Sequence, residues 1–476
     1  MKRYIVLYAA SKWYSLNIDD YEEFGEWVSS GKDSIIITTQ SSDVVRHLKS
    51  KKWILPNIVD LECFDKQMSQ EGKEVRNKSK WTALGFLQYY KVIDSDFKLT
   101  EDKFKLFLEY LGSLYLELLE KDDDEKSRFE EIEVDINKIV YNIQWSGINI
   151  DFERARRRCE MLEKEIYSAK NRLQFEFDIY QPDNETEQIN YLKSKKANII
   201  TSPFYTFKTR RREDEISNIF YELIRNRQDL ESLLYILARW GGEKICYPRY
   251  LGFGTITSRI VLRQPSLQNL RKSNRDVLVP ESGCEFLYID YSQFEAGILA
   301  SLSKDSKLIS LYDSDIYADL ADKLLGDSEQ RAEAKIIFYR YMYGDESLNK
   351  SSKEYFNSFK GLKNYISSIE IEMKDKGKVG TTNGNFRKSL SGEGSWALSH
   401  VVQSTASLIY KSAVIRVNKE LPKAKFLIPM HDATLYQLPS HLYEVLKEKI
   451  EIIYKEEFKR YCPEIAPKTN SSTSFS

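Results

Sequence analysis

The spacing of apolar residues changes character along the chain. Tyr4–Tyr8 and Ser34–Thr38 are short runs rich in β-branched residues, and each predicts a strand. The stretch around Tyr21–Val28 has helical spacing. Together they predict a small α/β unit to about Lys121, then a solvated connection at Asp122–Glu125, where acids cluster. From Ile132 the pattern turns helical. Apolar residues recur at helical spacing among many charges over 152–175, and again from about Asp214 to Trp240, predicting two long helices. A polar, basic stretch lies between them, with Lys193, Lys195, Lys196 and Arg210–Arg212. Such a pair suits either an arm lying along a phosphate backbone or a plain solvated hairpin. From Cys246 strands and helices alternate, and the final KTNSSTSFS predicts a disordered tail.

Composition narrows the class. The 476 residues exceed one ordinary core, and predict about three or four domains. The formal net charge is −1, so any nucleic-acid binding must rest on local basic patches. Five cysteines include no CxxC pair, and four histidines show no zinc spacing, which predicts a reducing cytosol. The apolar run near the N-terminus is broken by Lys12, and no stretch is long and apolar enough to span a bilayer. The expectation is a cytoplasmic protein with no membrane partner.

Three segments carry chemistry. Phe286–Ile289 form an apolar run that stops at Asp290, and Phe294, Ile298, Leu299 and Leu302 follow at helical spacing. Asp290 therefore sits at a strand-to-helix turn, where a rigid element can fix a metal ligand or a carboxylate can cap a helix. Two β-like runs between Lys425 and Leu438 flank His431-Asp432, as in a hairpin with a carboxylate at its turn. An ordinary Asx turn would read the same way. Arg331, Lys335, Tyr339 and Tyr343 recur every four residues and share one helix face. Two cations followed by two aromatics suit a triphosphate, then a sugar and base. A solvated surface helix is the alternative, and core packing explains Arg331 and Lys335 poorly.

In combination these segments resemble family A DNA polymerases of the bacterial DNA polymerase I type. Asp290-Tyr-Ser-Gln-Phe-Glu295 is similar to motif A (DYSQIE). Arg331–Gly344 is similar to motif B (R-xxx-K-xxx-F/Y-xxx-YG), and His431-Asp432-Ala433 to motif C (HDE). Thr257-Ser-Arg259 and Pro265–Asn269 resemble TGR…PNLQN, Gln403–Ala406 resembles QGTA, and Trp145–Asp151 resembles the segment that opens the polymerase region. The resemblance covers about residues 130–440.

The resemblance implies an α+β right-hand fold of palm, fingers and thumb after a small α/β exonuclease-like domain. The exonuclease-like domain would span 1–127 and the thumb 128–245. The palm would hold 246–330 and 401–465, the fingers 331–400, and a tail 466–476. The implied reaction is template-directed addition of deoxynucleoside triphosphates to a primer 3′ end. Two Mg²⁺ ions, with Mn²⁺ as substitute, would be held by Asp290, Asp432 and the Tyr291 backbone carbonyl. Arg331, Lys335, Tyr339, Tyr343, Glu295 and Gln293 would bind the nucleotide, with Lys335 also protonating the pyrophosphate and Glu295 excluding a ribose hydroxyl. Arg259, Gln268, Asn269, Gln403 and His431 would contact primer or template. The chain is expected to act as a monomer, aided by a clamp or helicase.

The match departs from the family at several places. Ala433 stands where the family has Glu, Ala296-Gly297 where it has Leu-Arg, Arg340 where it has Gly, and Ser399 where Asn is common. The first strand carries no Asp-x-Glu, and Asp60-Leu-Glu62 after an apolar run reads as a substitute or, more simply, as an incidental acidic pair, so the N-terminal domain is expected not to proofread. Two other readings stay open: a non-catalytic primer–template binding protein, favoured by Ala433, and RNA-templated or template-independent synthesis.

Overall fold

In the computed structural model, the described residues are 2–473 except 29–30, 32, 73–81, 198, 200–201, 213, 242–243, 390–393 and 431. They divide into two compact units. The first comprises 1–146, 250–261 and 282–474, and the second comprises 147–249 and 262–281, with 475–476. No helix among the described residues is long and apolar enough to cross a membrane.

The first unit begins with a five-stranded sheet: β1 (Lys2–Ala9), β2 (Lys12–Asn17), β3 (Gly25–Glu26), β4 (Ser34–Thr38) and β5 (Asn57–Asp60). Their order is β3-β2-β1-β4-β5, with β1, β4 and β5 parallel. Ile5, Leu7, Leu16, Ile37 and Val59 enter one core with Phe64, Phe86, Phe107 and Tyr115. The helical spacing of Tyr21–Val28 does not become a helix. The eight residues span barely two turns, and the backbone instead pairs with β2: Gly25 and Glu26 face Ser15 and Tyr14, and Trp27 N–H donates to the Trp13 carbonyl at 2.8 Å.

The acidic run Asp122–Glu125 is likewise not a solvated connection. Asp122 caps the helix Asp123–Arg128, and Glu125 is buried. Its carboxylate accepts from the Phe386 backbone N–H at 2.6 Å and from Gln67 at 3.0 Å. Glu125 turns inward because a neighbouring hairpin and Gln67 supply the donors, while Asp123 and Asp124 stay exposed. The helix Val134–Ser146, assigned from sequence to the thumb, packs in this unit against β5, because Ile136, Ile139, Val140 and Ile143 are buried.

A four-stranded antiparallel sheet completes the chemistry-bearing part of the unit. It contains β6 (Cys284–Tyr291), β9 (Lys425–Met430), β10 (Ala433–Pro439) and β11 (Thr469–Ser472), in the order β9-β10-β6-β11. The hairpin between Lys378–Thr381 (β7) and Gly384–Lys388 (β8) is separate. The tail expected to be disordered thus supplies a strand over four of its residues, pairing Tyr291 with Thr469 and Asp290 with Asn470. Threonine and serine are compatible with strand geometry, and the open edge of β6 satisfies their backbone groups.

The second unit contains the two long helices, at Phe152–Phe177 and Glu215–Trp240. Asp151 and Asp214 cap them, accepting from the backbone N–H of Arg154 at 2.9 Å and Ser217 at 3.3 Å. Leu173, Leu192, Phe207, Phe220 and Leu223 form their core. The Arg271 guanidinium joins Asp229 at 2.8 Å and Glu222 at 2.6 Å on the second helix.

Candidate active site

The ladder between β6 and β10 sets Asp290 directly opposite Ala433, so Asp432 at the preceding turn lies beside the end of the neighbouring strand. Directly opposed residues of an antiparallel pair have Cα atoms about 4.5–5.5 Å apart. Two carboxylates therefore converge from rigid elements. Burial pushes the Asp290 carboxyl up to about 6, the Asp432 charge adds to this, and Lys335 partly opposes it. Tyr291 follows Asp290 in the strand, and its hydroxyl donates to the Tyr454 carbonyl at 3.0 Å, which anchors that strand end. Among the described residues no group of three or more His, Cys, Asp or Glu forms a metal cluster. The two hard oxygen donors, with charges that repel, fit a divalent cation such as Mg²⁺, which would favour the ionised form of the half-buried Asp290.

Arg331–Met342 forms a helix, as its four-residue repeat predicts. The Arg331 guanidinium pairs with Asp315 at 2.6 Å and lies 5.0 Å over the Tyr317 ring. Lys335 Nζ lies 5.7 Å over the same ring and 5.8 Å over Tyr339. Tyr339 stacks on Tyr343 at 6.0 Å, and burial pushes its phenol far up. Sequence reasoning missed Asp315 and Tyr317. Asp315 caps the helix Ile316–Leu325 with one oxygen, which is locally legible, but its other oxygen reaches Arg331 only through tertiary structure.

Glu295 lies in the first turn of the helix Phe294–Ser303 and is 2% exposed. It accepts from Arg259 at 2.6 Å, and that guanidinium is also 3.6 Å from Asp432. Burial and then the Asp432 charge hold the Glu295 acid well above its usual range, against the pull of Arg259. Arg259 Nε and Glu295 Oε2 are buried without a hydrogen-bond partner. Gln403 Nε2 donates to the Tyr343 hydroxyl at 2.8 Å, while Gln293 accepts from the Ile316 backbone N–H at 3.1 Å. Asp290, Asp432, Glu295, Arg259, Lys335, Tyr339, Tyr343 and Gln403 thus form one connected neighbourhood.

Gln268 and Asn269 belong to the second unit, where Gln268 accepts from the Leu262 backbone N–H at 2.7 Å and Asn269 donates to Ser266 at 2.8 Å. His431 lies outside the described residues. Asp60 is fully buried as the cap of the helix Leu61–Met68, accepting from the Glu62 backbone N–H at 2.9 Å and from the Ser41 hydroxyl. Glu62 is paired with Lys66 at 2.7 Å.

Two departures from the family pattern have local causes. A Cβ on Gly297 would lie 2.6 Å from Tyr312 and 3.1 Å from Phe458, so the longer family side chain has no room. Arg340 closes its helix end by pairing with Asp345 at 2.7 Å, and hydrogen bonds from Ser347 and Arg340 hold that acid down at about 2.

Comparison with known proteins agrees with this geometry. The model of DNA polymerase family A matches residues 230–464. The DNA polymerase I of Bacillus caldotenax is 26% identical over 70% of this chain and 42% of its own length. That of Bacillus subtilis is 26% identical over 70% and 43%, and that of Aquifex aeolicus is 22% identical over 69% and 63%. The chain spans less than half the length of the two Bacillus relatives. The fold matches the POL domain of Pol1 from M. smegmatis, solved with DNA primer-template and dNTP, at a TM-score of 0.78 and 14% identity, covering 99% of this chain and 94% of that one. Residues 230–464, just under half of the chain, are thus similar to DNA polymerase family A.

Proposed function

We propose that the protein is a template-directed DNA polymerase that extends a primer 3′ end with deoxynucleotides and does not proofread. The observation that carries this reading is the convergence of Asp290 and Asp432 beside a helix face of Arg331, Lys335, Tyr339 and Tyr343. Asp290, Asp432 and the Tyr291 carbonyl would hold two Mg²⁺ ions, whose chemistry is to make a hydroxyl more acidic and to stabilise charge on phosphate oxygens. The primer 3′-hydroxyl oxygen bonds to the α-phosphorus, and the bond from that phosphorus to the bridging oxygen of pyrophosphate breaks. Arg331 and Lys335 bind the triphosphate, and Lys335 gives its proton to the leaving pyrophosphate. Glu295 packs at the sugar 2′ position beside Tyr343 and excludes a ribose hydroxyl. Arg259, Gln403, Gln268, Asn269 and His431 contact primer or template, and minor-groove acceptors common to all base pairs let such contacts sense pairing geometry. By the same reading, 1–127 is an exonuclease-like scaffold, 128–245 the thumb, and 331–400 the fingers. The protein works as a monomer in the cytoplasm with a clamp or helicase.

Primer extension on a primed DNA template with Mg²⁺ and deoxynucleotides tests this reading. Extension that stops when the template is omitted supports it. Absent extension with intact primer–template binding favours the non-catalytic alternative, in which the buried methyl of Ala433 replaces a family acid.

Two expected results follow from single residues. Tyr339 places a phenol hydroxyl on the nucleotide face, where it replaces the interaction of a missing 3′-OH. Dideoxynucleotides should therefore terminate wild-type synthesis efficiently, and Tyr339→Phe should resist them. Equal resistance in both would contradict this. Asp60 and Glu62 are engaged in a helix cap and an ion pair. A mismatched primer terminus should thus remain uncleaved with Mg²⁺, in wild type and in Asp60→Ala alike. Metal-dependent removal of the terminal nucleotide would refute the absence of proofreading.

A further inference from the structure

Ser258, immediately before Arg259, has a left-handed backbone at φ 65°, as Gln293 does at φ 51°; Ser258 is the one followed by a site guanidinium. It stands where the resembled motif has glycine. A left-handed conformation costs an L-residue roughly 1–2 kcal/mol, so something must hold it. Its hydroxyl has one donor and two acceptor sites, and three buried charged groups use them. Arg128 Nη2 donates to it at 3.0 Å and Lys411 Nζ at 2.6 Å, and it lies 3.1 Å from Glu133 Oε1 as donor. The charges also join one another: Arg128 Nε to Glu133 at 3.2 Å, and Lys411 to Glu133 at 2.6 Å. Ser407 on the helix Ala397–Glu420 donates to the Ser258 carbonyl at 2.8 Å.

Arg128, Lys411 and Ser258 are fully buried and Glu133 nearly so. Two cations face one carboxylate, and burial pushes Lys411 down to about 8 despite the nearby Glu133. Such an arrangement is a poor device for stability, because packed apolar residues often serve a fold as well or better. It is directional, however. One residue later the Arg259 guanidinium sits between Glu295 and Asp432, with its Nε left without a partner.

We propose that Ser258, clamped by Arg128, Glu133 and Lys411, is a positioning residue that sets the reach of Arg259 into the site. This rests on the polymerase reading for its consequence on rate, and on geometry alone for its consequence on the loop. Within the loop, Gly254 N–H donates to the Arg259 carbonyl at 2.9 Å, Ser258 N–H to the Thr255 carbonyl at 3.0 Å and Arg259 N–H to the Thr255 hydroxyl at 3.1 Å; the Ser258 hydroxyl is what ties that turn to the buried charges.

The test is Ser258→Gly, which accepts the backbone angle and removes the hydroxymethyl side chain that the three charges hold. Two measurements are made on the full chain: amide hydrogen exchange over residues 254–261, and primer-extension rate in a cycle with Arg259→Ala. The expected results are exchange at least roughly tenfold faster in that segment alone, and a roughly ten- to hundredfold loss of rate from misplacing a positioned group. The rate loss should vanish when Arg259 is already alanine. Unchanged exchange would overturn the proposal, as would a rate loss of equal size in both backgrounds. A wild-type chain that extends no primer, while the exchange response is present, would refute the polymerase reading and uphold the positioning role.

Discussion

Asp290→Ala and Asp432→Ala should each lower primer extension on the order of a thousandfold or more, leaving primer–template binding intact. Each removes one of two carboxylates that converge at the ends of adjacent strands, and metal stabilisation of a transition state is worth several kcal/mol, where each 1.36 kcal/mol is about tenfold. The same geometry sets a pH dependence. Burial and the Asp432 charge raise the Asp290 carboxyl to about 6, so below that pH a proton competes with the cation. The Mg²⁺ concentration for half-maximal rate should therefore rise as pH falls through that value. A steady-state Mg²⁺ titration at several pH values measures this. A flat requirement, or a variant with near wild-type rate, would remove Asp290 from the metal site.

Lys335→Ala should lower the single-turnover incorporation rate by roughly a hundred- to thousandfold, the loss typical when one preorganised donor to developing charge is removed. Lys335 has two tasks. It lies over Tyr317 and Tyr339 on the presumptive triphosphate face, and its charge stabilises ionised Asp290. Its loss should thus also move the Mg²⁺ requirement to higher pH. Arg331→Ala, whose cation is shared with Asp315, offers a contrast: it should weaken nucleotide binding with no such pH movement. Identical pH behaviour in the two variants would separate Lys335 from Asp290.

The parts of the site that were legible in the sequence are those fixed by local periodicity. A five-residue run ending at Asp290, a hairpin around Asp432 and a four-residue repeat from Arg331 each became the expected strand, turn or helix. The same local logic failed where long-range partners decide. Glu125 reads as a solvated charge until the Phe386 backbone N–H reaches it from 261 residues away. The Thr469–Ser472 strand exists because β6 has an edge to cover. The role of Ser258 was not legible, since its partners Arg128, Glu133 and Lys411 are scattered over the chain. Helical spacing over Tyr21–Val28 was outcompeted by a strand that was already waiting.

The β7–β8 hairpin leans on the amino-terminal domain at several points. Lys378 pairs with Asp122 at 2.5 Å, Lys388 N–H donates to the Gln70 carbonyl at 2.8 Å, Arg128 holds the Asn383 carbonyl at 3.0 Å, and Glu125 takes the Phe386 N–H. On the other side, His400 of the helix that carries Gln403 and Lys411 meets the Asn385 carbonyl at 3.0 Å. A chain without its first 120 residues would leave the Lys388 amide without the Gln70 carbonyl and the buried Glu125 without the Gln67 donor, so the hairpin and the helix behind it would lose their footing together.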